Sequence, residues 1–235
     1  LGITQDHGKS WYFPETIPVA QFYQINVDYD TPYNVYGGMQ DNGNWSGPAY
    51  TWKRGGIRTL YWQYLVGGDG FYIAPDRDNS RFGYGTSQNG DLYRYDKRTG
   101  YYQSIAPQPI STKKGLRFNW NAGFAKDPHD EKAAYYGSQY VHKTEDKGAT
   151  WEIISPDLST NNTDHQKGDY GGLTLDISGA ENYNSILSIA PSPLNKKIIW
   201  VGTDDGQVQL TQNGGATWEN LTPQIDELPN EAWIA

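Results

Sequence analysis

An eight-residue phrase occurs three times in this chain: Thr4-Gln5-Asp6-His7-Gly8-Lys9-Ser10-Trp11, Thr144-Glu145-Asp146-Lys147-Gly148-Ala149-Thr150-Trp151 and Thr211-Gln212-Asn213-Gly214-Gly215-Ala216-Thr217-Trp218. Its template, Ser/Thr-x-Asp/Asn-x-Gly-x-x-Trp, describes a turn. The Asp or Asn side chain hydrogen-bonds nearby backbone, the glycine adopts the left-handed conformation and the hydroxyl ties the loop together. The tryptophan then closes the core beneath it. Asp6, Gly8 and Trp11, Asp146, Gly148 and Trp151, and Asn213, Gly215 and Trp218 are therefore structural residues. A turn of this kind written three times points to a repeat architecture.

A second repeat runs in register with the first. An apolar strand ends in a Pro or Asp turn, and a short aromatic strand follows and ends in glycine. The copies are Val27–Gly38, Ile73–Thr86, Phe124–Ser138 and Ile189–Thr203, with the first glycine after the aromatic strand at 37, 85, 137 and 202. The steps of 48, 52 and 65 residues are the spacing of propeller blades. The expected fold is all-β: a β-propeller of four-stranded blades forming part of a larger propeller. Its blades are expected at 21–60, 61–106, 116–155 and 184–222. On this reading, residues 1–16 end a preceding blade and 156–182 form a long inserted loop.

Composition narrows the function classes. A net charge of −8 argues against a nucleic-acid surface, which needs clustered cations. No apolar run reaches the ~18 residues of a spanning helix. Zero Cys excludes disulfides and thiolate sites, and 19 Tyr, 9 Trp and 27 Gly suit an all-β protein that is secreted, periplasmic or on the cell surface.

In a four-stranded blade the first-to-second and third-to-fourth turns share one rim, where the repeated phrase lies. The other rim carries the second-to-third turns and the blade connectors. It is expected to hold Gln40, Asp41, Asn42 and Trp45, then Trp62, Asp69, Arg117, Asn119, Trp120 and Asn121. Aromatic rings beside amides and carboxylates suit sugars, because rings stack on carbohydrate C–H faces while polar groups bind hydroxyls. Packing of adjacent strands accounts equally well for Trp62 and Trp120. Gly67-Gly68-Asp69-Gly70 lets a ligand approach the backbone, or marks a bulge in which backbone N–H groups satisfy Asp69. A glycosidase needs two carboxylates flanking a cleft, and Asp41, Asp69 and Asp204 are the candidates, with Asp205 beside the last.

No metal site and no organic cofactor is expected. His7, His129, His142 and His165 show no ligand pairing. Oxygen-only calcium ligation at Asp28-Tyr29-Asp30 or Asp127-Pro128-His129-Asp130 competes with ordinary surface turns.

The repeated turns, the Tyr-Gly-Thr/Ser strands and phrases such as Ile154-Ser155-Pro156-Asp157-Leu158-Ser159 and Trp200-Val201-Gly202-Thr203-Asp204-Asp205-Gly206 resemble the BNR/Asp-box propellers, in particular exported bacterial sortilin-like or glycosyl-hydrolase-like forms. That resemblance implies a propeller and leaves activity open, since sialidases, xyloglucanases, the sortilin luminal domain and photosystem assembly factors share the turn. Sialidases bind substrate through three arginines, whereas only Arg54, Arg58 and Arg117 are expected near the ligand rim. The leading expectation is glycan or protein binding without demonstrated catalysis. A polysaccharide hydrolase with paired aspartates and a scaffold subunit contacting partners through 156–182 are the alternatives.

Overall fold

The computed structural model describes residues 2–13, 20–109, 115–168, 171, 179–180 and 182–235. Four four-stranded antiparallel sheets follow one another as blades of a β-propeller. The first blade contains β1 (Phe22–Val27), β2 (Asn34–Met39), β3 (Gly43–Pro48) and β4 (Gln63–Val66). The second has β5 (Ile73–Pro75), β6 (Phe82–Thr86), β7 (Leu92–Asp96) and β8 (Tyr101–Ser104). The third has β9 (Phe124–Lys126), β10 (Ala134–Gly137), β11 (Val141–Thr144) and β12 (Glu152–Ile153). The fourth has β13 (Ile186–Pro191), β14 (Ile199–Thr203), β15 (Val208–Thr211) and β16 (Glu219–Asn220). Among the described residues there are short 3₁₀ turns and no α-helix.

The cores lie between blades, where the facing surfaces of successive sheets pack on one another. Tyr36, Leu65 and Val66 of the first blade pack against Ile73 and Tyr95 of the second. Tyr84 and Leu92 meet Phe124 and Tyr136 at the next interface, and Tyr135 and Val141 meet Ile186, Ile199 and Val201 at the third. Glycines in the second strands let the incoming chain sit close. A Cβ on Gly137 would lie 2.6 Å from Ile186, whose N–H donates to the Ser138 carbonyl at 2.8 Å.

The repeated turn has the same hydrogen bonds in each copy. The Thr4, Thr144 and Thr211 hydroxyls each accept the glycine N–H four residues on, at 2.9 Å in all three. Asp6, Asp146 and Asn213 accept the N–H of Ser10, Thr150 and Thr217 at 2.8 to 2.9 Å. Two consecutive left-handed residues complete the turn, as at Lys147 and Gly148 with φ of 60° and 91°. In the third and fourth blades the turn also grips the blade before it. Trp151 Nε1 donates to the Ile105 carbonyl at 2.7 Å and Trp218 Nε1 to that of Ile154 at 2.9 Å.

One expected boundary moves. Residues 61–66 do not open the second blade, because Gln63–Val66 pairs with β3 as the outer strand of the first. The loop between β3 and β4 carries no Asp and no repeated turn, so Leu60–Val66 resembles an inner strand in sequence. The inserted loop at 156–182 falls partly outside the described residues. Its described part is anchored, with Leu158 buried in the third interface.

Candidate functional site

The rim opposite the repeated turns is organised by Asp69, in the connector between the first and second blades. Its Oδ1 accepts the Asp41 N–H at 2.8 Å and its Oδ2 accepts Trp120 Nε1 at 3.0 Å, while its own N–H donates to Gln88 Oε1 at 2.8 Å. Through its buried carboxylate and its backbone N–H, this one residue joins four segments: the β2–β3 turn, its own connector, the β6–β7 turn and the connector leading into the third blade. The glycines beside it are required by this packing. Gly68 has φ of 86°, and a Cβ on Gly70 would lie 2.5 Å from the Gly43 carbonyl oxygen.

Asp69 forms the floor of an open cleft of about 460 Å³, lined by Asp41, Asn42, Gly43, Trp45, Tyr64, Gly68 and Gln88. Asp41 takes a left-handed φ of 61°, which turns its exposed side chain outward while its N–H stays on Asp69. Trp45 and Tyr64 form an edge-to-face pair with ring centroids 5.3 Å apart. The Trp45 indole N–H donates to the Asn42 carbonyl at 2.6 Å, so its ring is oriented by the turn that bears the polar groups. Gln40 stands beside this group and accepts the Tyr23 hydroxyl at 2.8 Å. Tyr64 and Gln88 lie in segments, 60–64 and 87–90, that the blade register sets on this rim, but neither is among the expected ligand residues. Both reach the cleft only through the pairing of β4 with β3 and the packing of one blade on the next.

The remaining candidates divide into buried supports and residues located elsewhere. Asp204 is fully buried and accepts Ser185 N–H and Oγ–H at 2.9 and 2.8 Å and Asn119 Nδ2 at 3.0 Å. Burial raises its pKa, against these hydrogen bonds. Asp205 is also buried and holds Thr160, Asn184 and Thr203. Neither aspartate lines the cleft with Asp41 and Asp69. Asn119 is a buried support, while Asn121 has a buried Oδ1 without a hydrogen-bond partner. Arg117, expected to face a ligand, is committed inside the protein. Its guanidinium donates to Asp157 at 2.6 Å, Ser159 at 3.0 Å and the Asn184 carbonyl at 3.0 Å.

Trp62, Arg54 and Arg58, expected toward the ligand rim, belong to the β3–β4 loop. Because Pro48 pairs with Asn34 at the start of β2, that loop emerges on the rim of the repeated turns. Trp62 covers Gly47 there, where a side chain would collide with the indole. The two calcium candidates are closed turns: Asp127 accepts the N–H groups of His129 and Asp130 and the Tyr135 hydroxyl, and Asp28 accepts those of Asp30 and Asn34 with the Tyr36 hydroxyl. Asp76, Asp78 and Glu131 do converge. Arg94 and Lys147 pair with Asp76, and Arg77 and Lys126 with Glu131, so cations already occupy this acidic group.

Solved structures share this architecture. A GH74 enzyme from Niastella koreensis aligns with TM-score 0.50 and 13% identity, covering 87% of this chain and 30% of that one. An ancestral GH74 enzyme aligns with TM-score 0.50 and 14% identity, over 85% and 24%. A GH74 xyloglucanase from Xanthomonas campestris aligns with TM-score 0.46 and 14% identity, over 78% and 26%. The chain therefore spans less than a third of each of these structures, and at such identities the likeness shows the fold. No protein-family model and no curated protein matches this chain.

Proposed function

We propose that this chain is a glycan-binding propeller of the BNR/Asp-box type, acting outside the cytoplasm, with the Asp69-floored cleft as its binding site. The observation that supports this reading is the combination in one open cleft of a Trp45–Tyr64 ring pair with Asp41, Asn42 and Gln88. Aromatic rings bind pyranose C–H faces, and amides and carboxylates beside them take sugar hydroxyls. The test is binding of neutral β-glucan oligosaccharides by the wild type and by Trp45→Ala and Tyr64→Ala. Loss of binding in both variants is expected. Unchanged affinity in both would remove this cleft as the site.

Glycoside hydrolysis is the second reading, because Asp41 and Asp69 share the cleft and the solved structures of this architecture are GH74 enzymes. Retained oligosaccharide binding without release of reducing ends would exclude it.

The outer sheet faces also fit a propeller with further blades. Ile25 and Val27 are exposed on the face of the first blade turned away from the second. At the fourth blade, the Ile234 N–H donates to the Thr203 carbonyl and the residue lies over Gly202, repeating the relation of Ile186 to Ser138 and Gly137. We assign residues 230–235 as the entry to a further blade. Ile234→Asp should therefore lower stability in a protein carrying the next blade more than in the present chain.

A further inference from the structure

The β3–β4 loop of the first blade stands apart from the rest of the chain in charge and exposure. Between Asp41 and Asp69 the sequence holds no Asp or Glu, although the whole chain carries a net charge of −8. Lys53, Arg54 and Arg58 fall within that interval, and none forms an ion pair among the described residues. Four of the other five arginines pair with carboxylates, Arg77 with Glu131, Arg81 with Asp96, Arg94 with Asp76 and Arg117 with Asp157, and Arg98 has no ion pair among the described residues.

The same loop presents aromatic rings to solvent. Trp52 is 89% exposed and Tyr50 49%, and the two rings meet edge-to-face with centroids 4.8 Å apart. Lys53 Nζ lies 5.0 Å from the centroid of Tyr61, which holds a cation beside the rings. The Arg58 guanidinium lies against the backbone of Gly55, whose φ of 98° suits glycine and leaves room for the side chain. Trp62, stacked on Gly47, and the 3₁₀ turn at Thr59–Tyr61 anchor the end of the loop. An exposed Trp–Tyr pair on the same loop as cations without carboxylate partners offers both a stacking surface and groups for anion recognition.

We propose that Tyr50, Trp52, Arg54 and Arg58 form a second binding site, on the rim opposite the cleft, for an anionic polysaccharide bearing carboxylated sugars. The rings stack on the pyranose faces and the guanidinium groups pair with uronate carboxylates, for which their fork geometry is suited. The ligand class follows from charge: a neutral sugar would leave the cations unused, whereas a uronate chain engages both features. The site does not depend on the cleft, from which β3 separates it.

The test uses the whole chain with three probes: polygalacturonate, a neutral β-glucan oligosaccharide, and vesicles of phosphatidylserine and phosphatidylcholine. Polygalacturonate should bind the wild type at low salt and weaken as salt screens the charges. Trp52→Ala and the double variant Arg54→Ala/Arg58→Ala should each weaken it by about tenfold or more, with unchanged melting temperature, because these side chains are exposed. Trp45→Ala should leave polygalacturonate binding intact while affecting the neutral oligosaccharide, so failure of the cleft and failure of this loop are distinguishable. The proposal is overturned if polygalacturonate does not bind, if the loop variants bind it as the wild type does, or if the loop variants lose binding only to the vesicles.

Discussion

The repeated turns and the rim opposite them use carboxylates in opposite ways, although the turn rim also holds long-range ion pairs such as Asp76–Lys147 and Glu131–Arg77. On the rim of the repeated turns, Asp6 and Asp146 hydrogen-bond within their own turns, to residues at most four positions away. The Thr150 hydroxyl, followed by the Thr150 N–H and the Thr144 hydroxyl, holds the exposed Asp146 carboxyl down at about 2. On the opposite rim, Asp69 accepts from Asp41 and Trp120, and Asp204 from Asn119 and Ser185, across connectors and blades. The first arrangement builds a turn that any blade can carry. The second builds one particular surface, because its partners meet only when successive blades are packed.

The largest effect that would break this contrast is expected at Asp204. Asp204→Ala strands buried donors of Ser185 and Asn119 and should cost about 3 kcal/mol or more in urea unfolding. A loss no greater than that of a local turn variant would mean that the long-range carboxylates are ordinary.

A comparable effect concerns pH. His142 is buried with its Nε2 2.8 Å from Ser138 Oγ, and burial depresses its pKa from 6.5 to about 4. The unfolded chain gains a proton below pH 6.5 that the folded one refuses until about pH 4. Its contribution is thus full above pH 6.5 and is lost as pH falls toward 4, by up to about 3 kcal/mol. His142→Gln should flatten the stability curve between those values, and an unchanged slope would contradict this account.

Asp69→Ala should cost less, about 2 kcal/mol, while removing ligand binding in the cleft, because the Asp41 turn and Trp120 lose their common acceptor. Stability and binding measured on the same samples would separate positioning from packing.

The smallest change is expected for Asp146→Ala. Its hydrogen bonds are local and exposed, so the melting temperature should fall by only a small part of the Asp204→Ala shift. A larger shift would show that the turn's main work is the grip of Trp151 on Ile105.

The local interactions were legible in the sequence for a physical reason. A turn held by a Thr hydroxyl, an Asp carboxylate and two left-handed residues is specified within eight positions, and its spacing reports the blade. The all-β propeller and the location of Asp41 and Asn42 on a hairpin tip follow from such short-range patterns. The placement of Trp62, Arg54 and Arg58 was misread because the β3–β4 loop has no such turn, and its aromatic run resembles an inner strand. Arg117 reads as a rim cation because Asp157, its partner at 2.6 Å, lies 40 residues away.

What the sequence determined by itself is the repeat: the recurring turns, the aromatic strands that end in glycine and the acidic, cysteine-free composition. Tertiary structure alone decided which carboxylates reach solvent. Asp41 and Asp204 both stand in polar rim turns, yet Asp41 is exposed on a left-handed residue and Asp204 is sealed between Ser185 and Asn119. The difference lies in the neighbouring connectors, which cross one turn and leave the other open, and chain segments so far apart in sequence meet only in the folded molecule.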